Sequence, residues 1–392
     1  MSKKHKLIRI TTVPISMNIL LKGQLSFMNQ FFDVIGITGK DNKHFSEVKE
    51  REGIRMYAVD LQRTISPVKD FIALWKLFAL FKREKPHIVH THTPKAGLLG
   101  MLASKMANVP IRLHTVAGMP LIETQGIKRI ILNITEKITY HSAHRIYPNS
   151  HGLKEIVLKN KFCDKEKLKV LANGSSNGID TDYFNPNFVE NSEIFKFEFR
   201  KELGIENTDV VYCFVGRLCI EKGITELINT FLQLLSATST KNIKLLLVGP
   251  LEKENGALDK TTVNLINSIP EIVAVGRHDD IRPYLLISDI FVFPSYREGF
   301  PNVVLQAGAM GLSCIVSDIN GCNEIIEDRK NGLVFHPKDE ISLYKAMKLL
   351  LDDDEYRIQV SENIRQNIVE KYHRDIVWNA LLDEYKIILT KY

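Results

Sequence analysis

Residues 290–311 read IFVFPSYREGFPNVVLQAGAMG. Ile290–Phe293 is a short unbroken apolar run, the pattern of a buried strand. Pro294 ends it, and a polar turn carries Glu298 and Gly299. Pro301 and Asn302 open a helix in which Val303, Val304, Ala307 and Met310 recur at helical spacing. Strand, tight turn and helix N-terminus in that order make a seat for an anion. Unpaired N–H groups and the positive end of the helix dipole both point out of the turn. Glu298 stands just ahead of that end, where a carboxylate can accept hydrogen bonds from sugar hydroxyls. Gln306 follows about two helical turns later.

Around this stretch lie 392 residues, more than one core usually serves, so two domains are expected. With 44% hydrophobic and 25% charged residues the chain reads as soluble and globular. Cys163, Cys213, Cys219, Cys314 and Cys322 show no CxxC spacing and sit mostly on apolar runs, which reads as reduced thiols of a cytosolic protein. No run reaches the length of a spanning helix, and MSKKHKLIRITTV leads straight into a strand, so neither signal peptide nor transmembrane segment is expected. Residues 1–190 hold 29 Lys+Arg against 16 Asp+Glu, a net +13, and the remainder nets −7. A basic first half points to a polyanion or an anionic membrane surface, or to solvated surface charge alone. No interleaved aromatics accompany the charge, which argues against nucleic acid.

Strands and helices alternate along the first half. Strands are expected at 6–13, 32–38, 54–59, 87–91, 111–115, 145–148 and 168–171, with PISMNILLKGQL (14–25) as a loop. Pro67–Phe81 reads as an amphipathic helix whose Phe71, Leu74, Trp75 and Phe78 face the core. Helices follow His92–Gly97, span about 127–141, and run from 151 to 159. The second half repeats the alternation from Val210. Such βα alternation implies parallel sheets covered on both faces, an α/β fold.

Several turns carry chemistry. Gly216-Arg217-Leu218-Cys219-Ile220-Glu221-Lys222-Gly223 follows a strand and precedes a helix, so Arg217 and Lys222 can clamp a diphosphate at the mouth of a parallel sheet. It is not a Walker A loop, because GxxxxGK[ST] is absent. His90 and His92 form an HxH whose two rings share one strand face, but no third metal ligand stands beside them. The turn reads instead as the lining of a ligand cleft at the carboxyl end of a strand. His114 lies near the end of the next strand. Asp180-x-Asp182 falls in turn-rich ANGSSNGIDTDYFNP (172–186), where Asp180 caps a turn rather than holding a metal. Glu324 opens a short helix and suits either a site or a cap.

Taken together these motifs resemble the family 4 retaining glycosyltransferases. EGFP with its following helix is similar to the family's donor-sugar stretch, GRLCIEKG to its diphosphate turn, and NGIDTDYF to its interdomain linker. VHTHTPKAGLLG with LHTVAGMPL looks like the branch that builds bacterial capsular and O-antigen polysaccharides. The family has a second Glu eight residues after the first, and this chain has Gln306 there. The resemblance implies a GT-B architecture of two doubly wound α/β domains facing a cleft: 1–189 on the acceptor side, 190–372 binding the nucleotide sugar, and a C-terminal helix, 373–392, crossing back.

It further implies transfer from a nucleotide sugar, a UDP-sugar, to a lipid-diphosphate-linked saccharide by a cytoplasmic enzyme peripheral on the inner membrane face. Arg217 and Lys222 would bind the diphosphate, Glu298 and His114 the transferred sugar, and Gln306 the ribose. Gly216, Arg277, Gly299, Phe300, Asn302, Val303 and Val304 would complete the donor pocket. Neither metal nor cofactor is implied. A sugar-nucleotide epimerase of the same fold and a catalytically silent assembly partner are the competing readings.

Overall fold

The computed structural model describes residues 4–391 apart from 42, 63, 65, 120–124, 239, 240 and 255, so Pro120 of the loop expected at 116–120 lies outside the described residues. The chain divides into two compact units, Met1–Gly178 with Arg374–Tyr392, and Ile179–His373. The division falls ahead of 189/190 because Ile179 bridges His373 and Phe184 enters the second core.

In unit 1, β1 (Lys6–Ile10), β2 (Asp33–Thr38), β3 (Arg55–Ala58), β4 (Ile88–His92), β5 (Ile111–Val116) and β6 (Arg145–Pro148) form a parallel sheet ordered β3-β2-β1-β4-β5-β6. In unit 2, β7 (Val210–Val215), β8 (Ile243–Val248), β9 (Ile272–Gly276), β10 (Ile290–Phe293), β11 (Ser313–Ser317) and β12 (Leu333–Phe335) are wound the same way, β12-β11-β10-β7-β8-β9. Strand order reverses between β1 and β4 and between β7 and β10. Open α/β sheets bind ligands beyond the carboxyl ends of the strands at such points. VVYCFV of β7 and IFVF of β10 are buried throughout, as strands covered by helices on both faces must be.

Unit 1 carries α1 (Pro14–Leu20), α2 (Gln24–Asn29), α3 (His44–Glu52), α4 (Pro67–Glu84), α5 (Pro94–Met106), α6 (Gly126–Ser142) and α7 (His151–Lys159). Unit 2 carries α8 (Ser192–Glu202), α9 (Ile224–Ala237), α10 (Lys260–Ser268), α11 (Arg282–Leu286), α12 (Asn302–Ala309), α13 (Cys322–Ile325), α14 (Glu340–Asp352) and α15 (Asp354–Tyr372). The last helix, α16 (Arg374–Leu389), belongs to unit 1, where Leu381, Leu382, Tyr385 and Ile388 share a core with Leu7, Leu113 and Tyr147.

Three local readings are corrected. PISMNILLKGQL is not a loop: Met17, Leu21, Leu25 and Met28 sit four or three apart and are buried, and Gly23 in the left-handed region breaks the run into α1 and α2. Residues 168–171 make only an isolated bridge, Leu168 to Ile146. On α4 the core face is Ala73, Leu77, Leu80 and Phe81, with Leu74 and Phe78 partly buried against it, whereas Phe71 and Trp75 are 60% and 46% exposed. This helix is apolar on two sides, so periodicity alone does not choose which side meets the sheet.

Candidate functional site

At the unit 2 switch point, β7 runs out through Val215 into Gly216 and β10 through Phe293 into Pro294. Between them opens a cleft of ≈ 390 Å³. Gly216, Lys222, Glu298 and Phe300 line it, and so do Asn302, Val303 and Gln306 from α12. Two glycines allow the loops to meet. A Cβ on Gly223 (φ +69°) would stand 2.1 Å from the Pro294 carbonyl oxygen, and one on Gly249 would stand 1.7 Å from that of Gly216. Only glycine tolerates either approach.

The close crossing at Gly223 brings the Lys222 turn onto the Glu298 turn. Lys222 Nζ donates to Glu298 Oε1 and lies 5.4 Å from the centroid of the Phe293 ring. Ser295 Oγ donates to the same carboxylate oxygen at 3.0 Å. Asn320 Nδ2 donates to the Glu298 carbonyl, which fixes the turn from behind. The two charged side chains are 20% and 18% exposed, so the pair is shielded yet open to a ligand. Asn302 and Val303, which open α12 ahead of its first intrahelical hydrogen bonds, line the same cleft. A cation, a carboxylate and a helix N-terminus thus converge, enough to hold a diphosphate and orient a hydroxylated ring beside it.

The remaining expected residues are placed differently. Arg217 is half exposed and donates to Glu252 at 2.9 Å, outside the cleft lining. Arg277 is exposed beside Asp279 at 3.5 Å, and it is Asp279, Asp280 and Ile281 that reach the cleft. Val304 is wholly buried in the unit 2 core, because its position on α12 faces the sheet. Gly299 is buried under Asn320. Glu324 caps its own helix, accepting from the Gly321 N–H at 3.4 Å, and Asp180 accepts from the Tyr183 N–H at 3.0 Å.

In unit 1, His90 and His114 are closed in, and His92 lines only a narrow cavity of ≈ 20 Å³ with Arg9, Thr115 and Ser175. His114 is 2% exposed, with Nδ1 2.8 Å from Thr91 Oγ1 and its ring pressed under α5 at Gly97. Burial pushes its pKa down to about 4, so it is neutral. His90 uses both ring nitrogens, on Tyr385 Oη at 2.6 Å and Thr115 Oγ1 at 2.8 Å. His92 Nε2 accepts from the buried Arg9 guanidinium at 2.8 Å. Desolvation holds both well below the usual histidine range. The alternation of side chains along β4 and β5 turned the His90 and His114 rings into the helical layers instead of out of the sheet edge. Among the described residues, no group of three or more His, Cys, Asp or Glu side chains is placed to hold a metal.

Tyr183, Phe184, Asp280 and Phe293 also line the cleft and were missed as site residues. Arg282 ties the first to the third: its guanidinium carbon lies 3.7 Å from the Tyr183 ring centroid and Nη2 donates to Asp280 at 2.7 Å. The linker motif carried a signal for Tyr183 and Phe184, since an aromatic pair in a polar turn needs something to pack on. Asp280 had no such signal.

Two doubly wound halves with this strand order define the GT-B class, and the comparisons with known proteins agree. Residues 195–367 match the family "Glycosyl transferases group 1", and residues 32–174 match "Glycosyl transferase 4-like domain". Over 389 residues, 99% of each chain, the sequence is 30% identical to the capsular polysaccharide biosynthesis glycosyltransferase CapM of Staphylococcus aureus. It is 29% identical over 347 residues, covering 88% of this chain and 86% of the other, to the UDP-Gal:alpha-D-GlcNAc-diphosphoundecaprenol alpha-1,3-galactosyltransferase of Escherichia coli. The fold superposes on a glycosyltransferase from Rickettsia africae with a TM-score of 0.79 at 19% identity, covering 98% of this chain and 99% of that one. The chain belongs to the family 4 glycosyltransferases, which transfer with retention at the anomeric carbon.

Proposed function

We propose that this enzyme moves a hexosyl or N-acetylhexosaminyl group from a UDP-sugar to a lipid-diphosphate-linked saccharide. The product would be a bacterial capsule or O-antigen unit assembled at the inner membrane face. The observation that carries the reading is the Lys222–Glu298 pair at the unit 2 switch point, beside the N-terminus of α12. In this scheme the donor diphosphate lies against Lys222 and the first turn of α12. The transferred sugar offers its hydroxyls to Glu298, and the ribose lies toward Gln306, whose amide can bond a hydroxyl.

As the bond from the anomeric carbon to the diphosphate oxygen breaks, negative charge grows on the departing diphosphate. Lys222 and the α12 N–H groups take up that charge, and Arg217 joins them by exchanging Glu252 for a phosphate oxygen. Preorganised donors of this kind serve without a metal ion. The acceptor oxygen forms its bond to the same carbon as the diphosphate leaves, and the acceptor proton goes to the departing diphosphate. The names of the Staphylococcus and Escherichia relatives, a capsule enzyme and a transferase acting on a diphosphoundecaprenol acceptor, support the substrate class.

Thermal stabilisation by a panel of nucleotide sugars, followed by transfer to lipid-linked acceptors, tests the reading, since bound ligand raises the melting temperature. UDP-sugars should stabilise and transfer. Stabilisation by GDP- or ADP-sugars alone would overturn the uridine assignment. Donor binding without transfer to any acceptor would favour a catalytically silent assembly partner.

A further inference from the structure

Unit 1 carries an apolar surface for which catalysis has no use. On α6, Ile127, Ile130, Ile131, Ile134 and Ile138 recur at helical spacing and all are exposed, Ile127 by 78% and Ile134 by 52%. On α4, Val68, Phe71, Ile72 and Trp75 form a second exposed row with the same spacing. Helix α5 packs against both α4 and α6, so the three make one layer. Each follows a parallel strand and therefore begins at the carboxyl edge of the sheet. The α4 row occupies the first turns of its helix and the α6 row runs from the first turn to Ile138, so both start at that same edge.

An exposed apolar surface of this extent marks an interaction site. Its charges indicate the partner. The carboxylates on these turns are withdrawn: Asp70 is bound by Lys95 Nζ at 2.7 Å, and Glu136 is buried, with desolvation pushing its pKa up to about 6. Lys69 and Lys137 stand exposed beside the rows. The residues of unit 1 hold 32 Lys+Arg against 16 Asp+Glu, a net +16. Isoleucine rows rimmed by lysines on a strongly cationic body fit an anionic lipid surface, in which an amphipathic helix lies flat with its apolar side among the acyl chains. A second copy of the chain would bring two cationic faces together, at a cost.

We infer that α4 and α6 seat unit 1 in the interface of an anionic bilayer, with α6 lying in its plane. The inference rests on the reading of a lipid-linked acceptor, whose saccharide would be offered at the sheet edge these helices flank. The test is co-sedimentation of the full chain with phosphatidylcholine vesicles with and without phosphatidylglycerol, for the wild type and for Ile130→Glu/Ile134→Glu. Both substituted side chains are exposed, so the fold is retained; Ile72→Glu repeats the test from the other helix. The wild type should bind the anionic vesicles, more weakly at high salt, and the double variant should bind about tenfold less or worse. Transfer to a short-chain, water-soluble acceptor should be unchanged in the variant. If the variant loses the vesicles while neither protein transfers to any lipid-linked acceptor, docking stands and the acceptor reading fails. Equal vesicle binding by both proteins overturns the inference. So does a wild type that ignores anionic vesicles but forms a dimer that the variant breaks.

Discussion

Glu298→Gln separates the two partners of the central pair. In the free enzyme Lys222 is already neutralised by Glu298, so a diphosphate must share or displace that carboxylate. A hydrogen bond to a charged group is worth about 1.5–3 kcal/mol, and the pair is shielded enough for that range to apply. If Glu298 holds hydroxyls of the transferred sugar, the amide should therefore lower kcat/KM roughly 10- to 100-fold. The free nucleoside diphosphate carries no sugar. It also meets a Lys222 released from its counter-ion and no longer faces a carboxylate, so its affinity should rise, by about tenfold if 1.4 kcal/mol of competition is removed. Calorimetric titration of the diphosphate beside steady-state kinetics gives both numbers. A parallel fall in diphosphate affinity and kcat/KM would show that Glu298 supports the nucleotide, and the division of labour argued here would be wrong.

Lys222→Ala should cost about 100-fold or more in turnover with little change in melting temperature, because the side chain lies in a turn. Arg217→Ala should cost a comparable factor only if the guanidinium leaves Glu252 during the reaction; normal turnover would remove it from the mechanism. Gln306→Ala should weaken the free diphosphate and Gln306→Glu should keep or improve it, both read by calorimetry. Unit 1 should be acid-sensitive. His114 has a folded pKa of about 4 against an ordinary 6.5, so the unfolded chain binds more protons between those values. Its contribution is complete above pH 6.5 and falls by at most about 3 kcal/mol as pH drops toward 4. His90 and His92 act in the same direction. Both tryptophans, Trp75 and Trp378, lie in unit 1, so tryptophan-monitored urea melts at pH 7 and pH 5 report it; equal midpoints would refute the argument.

Legibility in the sequence followed the physics of each element. Buried parallel strands such as VVYCFV and IFVF announce themselves, because both faces must be apolar. Lys222, Glu298 and Gln306 were legible because glycines and a proline punctuate the turns that carry them. What one sequence cannot fix is the direction of a side chain on a correctly placed element. His114 and Val304 sit on the expected strand and helix but face inward, and Arg217 turns to Glu252, a partner thirty-five residues away. On α4 Phe71 and Trp75 misled for a related reason, since size suggests burial but the helix turned Ala73 and Leu77 inward in their place.

The docking of α16 on unit 1 bears on how the protein is made. Unit 1 consists of two lengths of chain with all of unit 2 between them. During synthesis Ile179–His373 is made ahead of Leu381, Leu382 and Tyr385. The N-terminal half, which usually closes first, therefore waits for the last helix. Until the final helix arrives, Leu7, Ile111, Leu113 and Tyr147 present an uncovered side of the first sheet, and His90 lacks the Tyr385 hydroxyl. The nascent chain thus spends the synthesis of some two hundred residues with one side of its first sheet uncovered, a window in which a chaperone has something definite to hold.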